Sequence, residues 1–229
     1  MPRLLHLAAA LALLACDPPK GQTELPPKPG GRIEAEDAGM PVPVFSLGGG
    51  PTAGDEPVDD RVEASCEDPD WKAPDCVEGV GDHDDLRGNA HIADDQPLSY
   101  DERPPSSGDH RGQWARWGEY DYLPPQRWLH NLEHGGAALL YHPCAPAETV
   151  DALRAYADGR PDDEGGPFRY VLTPYPDLPT TVAVVTWTWR WQAECVRPDE
   201  MDDFLDQTYR TAPEDIGSDG SYDTGWIAR

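Results

Sequence analysis

All eight tryptophans of this chain lie beyond residue 70, and that asymmetry decides where a hydrophobic core can form. Residues 17 to about 60 are rich in Pro, Gly and acidic side chains, with few large apolar ones. Such a stretch buries too little surface to offset the entropy lost on ordering, so residues 16–60 read as a disordered acidic tether. Residues 61–214 read as a single folded domain, since about 150 residues suffice for one core. Residues 215–229 are acidic and Gly/Ser-rich and read as a loosely held tail.

Within the domain the pattern is irregular first and periodic later. Residues 80–123 are rich in Gly, Pro, Asp and aromatics, which predicts a long irregular N-terminal half. Pro124-Pro125 suits a first helical turn and Gly135-Gly136 is a stop signal, so Gln126 to His134 reads as a helix. Ala137 to His142 reads as a short buried strand. Ala147 to Ala157 reads as a helix with Val150, Leu153 and Tyr156 near one face. Phe168 to Thr173 reads as a strand. Thr181 to Gln192 reads as one long strand, with Trp187, Trp189 and Trp191 on the face turned to the core; an exposed face stacking sugars is the alternative use of those rings. Glu200 to Arg210 reads as a last helix. The order predicts an α+β fold, with helices packed on a small, largely antiparallel sheet.

The N-terminus carries an export pattern. Arg3 precedes an apolar run, Leu4 to Leu14, that is too short to span a bilayer as a helix. The run ends in Leu13-Leu14-Ala15-Cys16, which resembles a bacterial lipobox. That resemblance implies a signal peptide at residues 1–15, acylation of Cys16 and a lipid anchor that holds the chain to a membrane of the bacterial cell envelope, on its extracytoplasmic side. The chain has 18 basic and 43 acidic residues and a net charge of −25. That balance argues against nucleic acid, whose phosphates need Lys and Arg, and against an anionic lipid surface.

Besides Cys16 the chain has Cys66, Cys76, Cys144 and Cys195. An even number in an oxidising compartment predicts two disulfides. Three pairings are open. Closeness in sequence favours Cys66–Cys76, which leaves Cys144–Cys195. No Cys-x-x-Cys is present, so a thioredoxin-like redox motif is excluded, and the spacings are not those of a zinc ribbon.

Several runs carry a resemblance to a known family. Tyr100 to His110 reads YDERPPSSGDH, Trp117 to Asp121 reads WGEYD, and Leu129 to Pro143 reads LHNLEHGGAALLYHP. Asn89-Ala90-His91-Ile92, Val171 to Pro179 and Ala212-Pro213-Glu214 complete the pattern. Together, over residues 88–214, they resemble the bacterial domain-of-unknown-function family numbered 3105. The resemblance implies an extracytoplasmic or membrane-tethered domain of no settled activity.

The chemistry-bearing residues sit in those runs. His130 and His134 stand four apart, which on a helix puts both imidazoles on one face, within reach of one metal ion. His110 follows a Ser-Ser-Gly turn that can fold it back to the same place, and His91 is a fourth candidate ligand. Such a set suits copper or zinc, because imidazole is a borderline donor. Glu133 is the candidate catalytic residue, able to orient a water or act as a base. His130 to His134 also matches H-x-x-E-H, a short pattern of zinc peptidases. The same residues fit a structural role too: His134 against the helix terminus, His130 as a core histidine, Glu133 paired with Arg127 or Arg116. Three functions follow: an envelope-anchored metal-binding domain, a non-catalytic module for cell wall or a partner protein, and a metal-dependent hydrolase using Glu133.

Overall fold

A computed structural model describes residues 64–229. The export pattern, Cys16 and the tether at 16–60 lie outside the described residues. In chain order the elements are β1 (Val80–His83), β2 (His91–Ile92), β3 (His110–Arg111), β4 (Gly118–Tyr120), α1 (Pro125–Glu133), β5 (Ala137–Tyr141), α2 (Ala147–Gly159), β6 (Tyr170–Pro174), β7 (Val182–Thr186), β8 (Trp189–Ala193), α3 (Pro198–Thr208) and β9 (Trp226–Ile227). The fold is α+β. Seven strands form one mostly antiparallel sheet in the order β1-β8-β7-β5-β6-β4-β9, with parallel pairing only at β5–β6 and β4–β6.

The sheet is covered on both faces, and β5 shows why. Its run AALL is apolar without alternation, the composition of a strand buried on both sides. Ala138 and Leu140 pack with Trp128, Leu129 and Leu132 of α1. Ala137 and Leu139 pack with Leu153 of α2 and with Met201, Phe204 and Leu205 of α3. Each large apolar side chain among them contributes about 2 kcal/mol on burial, so α1 is clamped against the sheet along its whole length. Every residue of α1 is buried, including four polar or charged ones, Gln126, Arg127, Asn131 and Glu133, as well as His130.

Four sequence expectations need correction. The long strand is a hairpin: β7 and β8 pair antiparallel and close at Thr186 opposite Trp189. The turn separates the tryptophans. Trp187 joins the α1 side of the core, Trp191 joins the opposite side, and Trp189 is partly exposed against the His83 ring at 4.4 Å. The irregular N-terminal half contains β1 to β4, strands of two to four residues that are too short to leave a periodicity. The expected loose tail packs onto the sheet: β9 pairs with β4, and Glu119 of β4 is held by Arg154 at 2.7 Å and by Arg229 at 3.2 Å.

The disulfides are the fourth correction. They join Cys66 to Cys144 and Cys76 to Cys195. The register explains the second pair. β1 runs antiparallel to β8 with Val80 opposite Gln192, so the chain before β1 carries Cys76 alongside Cys195. Both bridges therefore clip the segment entering β1 onto strand ends, rather than closing a local loop. Peptide mapping under non-reducing conditions is expected to recover these two pairs. Cys76→Ser is expected to cost about 2–4 kcal/mol, because the bridge closes a long loop. A Cys66–Cys76 peptide would contradict the arrangement.

Candidate metal centre

Two local structures bring four histidines together. The first is the parallel pair β2–β3, which sets His91 directly opposite His110. The His110 N–H donates to the Ala90 carbonyl at 2.9 Å. The turn before His110 requires glycine: Gly108 has φ +142°, and a Cβ there would stand 3.0 Å from the Tyr100 ring. The second is the last turn of α1, where His130, Glu133 and His134 share one helix face at spacings of three and four. That helix ends at Gly135, with φ +83°. The Gly136 N–H donates to the Asn131 carbonyl at 3.0 Å and the Gly135 N–H to the Leu132 carbonyl at 2.9 Å, a Schellman end that satisfies the last carbonyls.

The imidazoles are oriented by backbone carbonyls. A carbonyl can only accept, so His110 Nδ1–H donates to Gly108 O at 2.8 Å and His130 Nδ1–H to Arg111 O at 2.7 Å. Each ring then turns its Nε2 lone pair inward. His110 Nε2 lies 3.1 Å from Glu133 Oε2, and no hydrogen bond satisfies it. His91 Nε2 lies 3.8 Å from the same oxygen. One donor atom from each of His91, His110, His130 and Glu133 falls within 4.8 Å of all the others. His110, His130 and Glu133 are buried, whereas the His91 side chain is 53% exposed and forms the outer wall. Burial pushes the His130 pKa down to about 3. Burial also lowers His110, against the pull of the Gly108 carbonyl and Glu133. These rings are therefore neutral and able to ligate at ordinary pH.

The family model described as Protein of unknown function (DUF3105) matches residues 91–220, more than half of the chain. The chain belongs to the DUF3105 family. The matched span starts at His91 and includes every side chain of the cluster. No curated protein and no solved structure matches the chain.

In this DUF3105 domain three of the four histidines singled out from sequence, His91, His110 and His130, converge with Glu133. Glu133 stands among the donor atoms rather than behind them. Its expected arginine partners are engaged elsewhere, Arg127 with Asp94 at 3.1 Å and Arg116 with Asp219 at 3.2 Å. His134 sits beside this set: its Nε2 is 3.1 Å from His130 Nε2 and 3.0 Å from Glu214 Oε2. Burial lowers the His134 pKa and Glu214 opposes the shift. Sequence reasoning assigned no role to three supporting residues. Glu214 arrives on a distant segment. Asn131 lies inside the H-N-L-E-H run and pins Ala115 through both backbone groups, at 3.0 and 2.8 Å. Trp114, placed by that pin, packs edge-on to His134 at 4.5 Å and tilted against His130 at 5.2 Å. The only sequence signal for Glu214 was its place in the family pattern.

Proposed function

We propose that this domain holds a copper or zinc ion between His91, His110, His130 and Glu133, and that the protein handles or senses that metal as a lipid-anchored envelope protein. The observation that carries the reading is the buried approach of His110 Nε2 to Glu133 Oε2 at 3.1 Å. With Nδ1 donating to Gly108 O and both groups unprotonated at the contact, the facing atoms are two acceptors, a repulsive arrangement in a low-dielectric setting that a bound cation relieves, as a shared proton also would. The donor set matches: imidazole suits zinc and copper, and the domain's four cysteines are tied up in disulfides, which leaves nitrogen and oxygen donors. A tetrahedral ion with bonds of about 2.1 Å spaces its donors about 3.4 Å apart, so modest side-chain rotation closes the four groups on one ion. The carbonyl partners of His110 and His130 fix ring orientation and raise ligand basicity.

The hydrolase reading is less well supported. A carboxylate among the ligands is not free to take a proton from water, as the H-x-x-E-H mechanism asks of its Glu. The two disulfides fit an oxidising, extracytoplasmic compartment. Among the described residues no helix is long and apolar enough to cross a membrane. Attachment through Cys16 would then be what holds the domain to the envelope.

The test is metal content. The full chain, purified without a histidine tag and reconstituted with zinc or copper(II), is expected to carry close to one ion. His110→Ala/His130→Ala is expected to stay folded and lose it. A wild-type protein that takes up neither metal would leave a structural or partner-binding domain as the better description.

A further inference from the structure

One N–H in this cluster faces two acceptors. Because His130 Nδ1–H is committed to the Arg111 carbonyl at 2.7 Å, His130 Nε2 carries a lone pair. His134 Nε2 lies 3.1 Å from that lone pair and 3.0 Å from a Glu214 carboxylate oxygen. Both neighbours accept, so the hydrogen of His134 must be on Nε2. Its other nitrogen fits this tautomer, since Nδ1 is buried with no hydrogen-bond partner. His134 thus blocks the one atom through which His130 would ligate.

We infer that His134 is a gate on the metal centre and Glu214 is the residue that opens it: by taking the His134 Nε2–H, Glu214 frees His130 Nε2 for the ion. This rests on the metal reading above and assigns His134 a place beside the ligands instead of among them. The exchange swaps one hydrogen bond for another, and no proton leaves the pair. Glu214 is well placed to do this. Its N–H donates to the Glu133 carbonyl at 3.2 Å, and the Ile216 N–H donates to the His134 carbonyl at 3.2 Å. Between them Asp215 bonds to Arg169 and Arg210. The segment is therefore held by groups other than the Glu214 side chain, which is 49% exposed and reaches His134 Nε2 with its carboxylate. Glu214→Ala removes the acceptor without releasing the segment.

The test is zinc and copper(II) affinity of the full chain, measured by chelator competition in four forms. Glu214→Ala is expected to bind about tenfold more weakly than wild type, the effect of losing one hydrogen bond to a charged acceptor. His134→Leu, with no competing donor, is expected to bind at least as tightly as wild type. In that background Glu214→Ala is expected to change affinity less than twofold. An equal loss in both backgrounds would mean that Glu214 acts only through its charge and would overturn the gate. So would a Glu214→Ala protein that binds like wild type. Nitrogen-15 imidazole spectra of wild type, with and without zinc, give an independent reading. His134 Nε2 should keep its proton when zinc binds, and a zinc-ligated His134 Nε2 would refute the inference. Loaded wild type with an indifferent Glu214→Ala removes the gate alone. Wild type that loads no metal removes the gate together with the metal reading.

Discussion

Asn131→Ala is expected to destabilise the domain by about 3 kcal/mol and to lower Tm by roughly 6–12 °C. The reason lies in what the side chain leaves behind. Asn131 is fully buried on α1, and its amide accepts from the Ala115 N–H at 3.0 Å and donates to the Ala115 carbonyl at 2.8 Å. Ala115 is itself fully buried, so truncation strands a donor and an acceptor out of reach of water, each costing about 1–3 kcal/mol. The loop carrying Trp114 would loosen as well. That ring packs on His130 and His134, so metal affinity should fall along with stability. Asn131→Asp is the discriminating control. It keeps the shape and the acceptor but turns the donated bond into two facing oxygens, so it should also destabilise, though it is nearly isosteric. Thermal and urea unfolding of the three proteins measure both effects. A loss below about 0.5 kcal/mol in Asn131→Ala, the range of an ordinary surface change, would show that the loop is not held by this pin.

The same helix shows what could be read from the sequence and what could not. α1 was legible because its signals are local: prolines at its start, two glycines at its end, and His130, Glu133 and His134 at helical spacing between them. The β7–β8 hairpin was not legible, for an equally local reason. Its two-residue turn is Trp187-Thr188, with no Gly, Asn or Asp to announce it. Thr188 adopts φ +64° all the same. Tertiary bonds hold it there: its N–H donates to Ser106 O at 2.9 Å and its carbonyl accepts from the Asp84 N–H at 2.8 Å. Alternation before and after such a turn looks like one continuous strand. β2 and β3 failed for a third reason, since two residues carry no period.

The candidate centre divides along the same line. The helical pair His130 and His134 follows from spacing, and His91 and His110 stand out because they fall in distinctive runs. The tautomers of His110 and His130 depend on the carbonyls of Gly108 and Arg111, and every residue has a carbonyl, so composition cannot flag those two. Glu214 is one of 43 acidic residues. Its place in the family pattern marks it but gives it no role; the path of the chain after α3, which turns back over the end of α1, supplies that. Glu133 shows the limit most clearly. Its neighbours in sequence suggested a base or an ion pair, whereas the β2–β3 pair brings two imidazoles to its carboxylate.

Without metal, the domain is expected to lose stability steadily as pH falls from about 6.5. The sign follows from burial. His130 is pushed down to about 3 in the folded chain, and His110 and His134 are lowered in the same direction, whereas an unfolded histidine titrates near 6.5. Between those values the unfolded chain binds more protons, so acid draws the equilibrium toward unfolding. The loss starts below the unfolded pKa and ends once the folded ring also protonates. Within that window His130 alone contributes a slope of up to about 1.4 kcal/mol per pH unit. Asp215 acts in the same sense at lower pH. Arg210 and Arg169 hold its pKa to about 2, so its contribution is lost only below the ordinary carboxylate range. Metal would change the profile in a defined way. An ion on His110 and His130 excludes the proton, so the loaded domain should keep its urea midpoint further into acid before releasing the metal and unfolding. Urea titrations with a chelator between pH 7.5 and 4.5, beside a His130→Asn variant, separate the histidine from the general acid response. The variant should be flatter over that range, because its side chain at 130 has no proton to take up. A wild-type midpoint unchanged across the range would show that the buried imidazoles protonate as readily in the folded domain as in the unfolded chain, and the expected histidine linkage would fall.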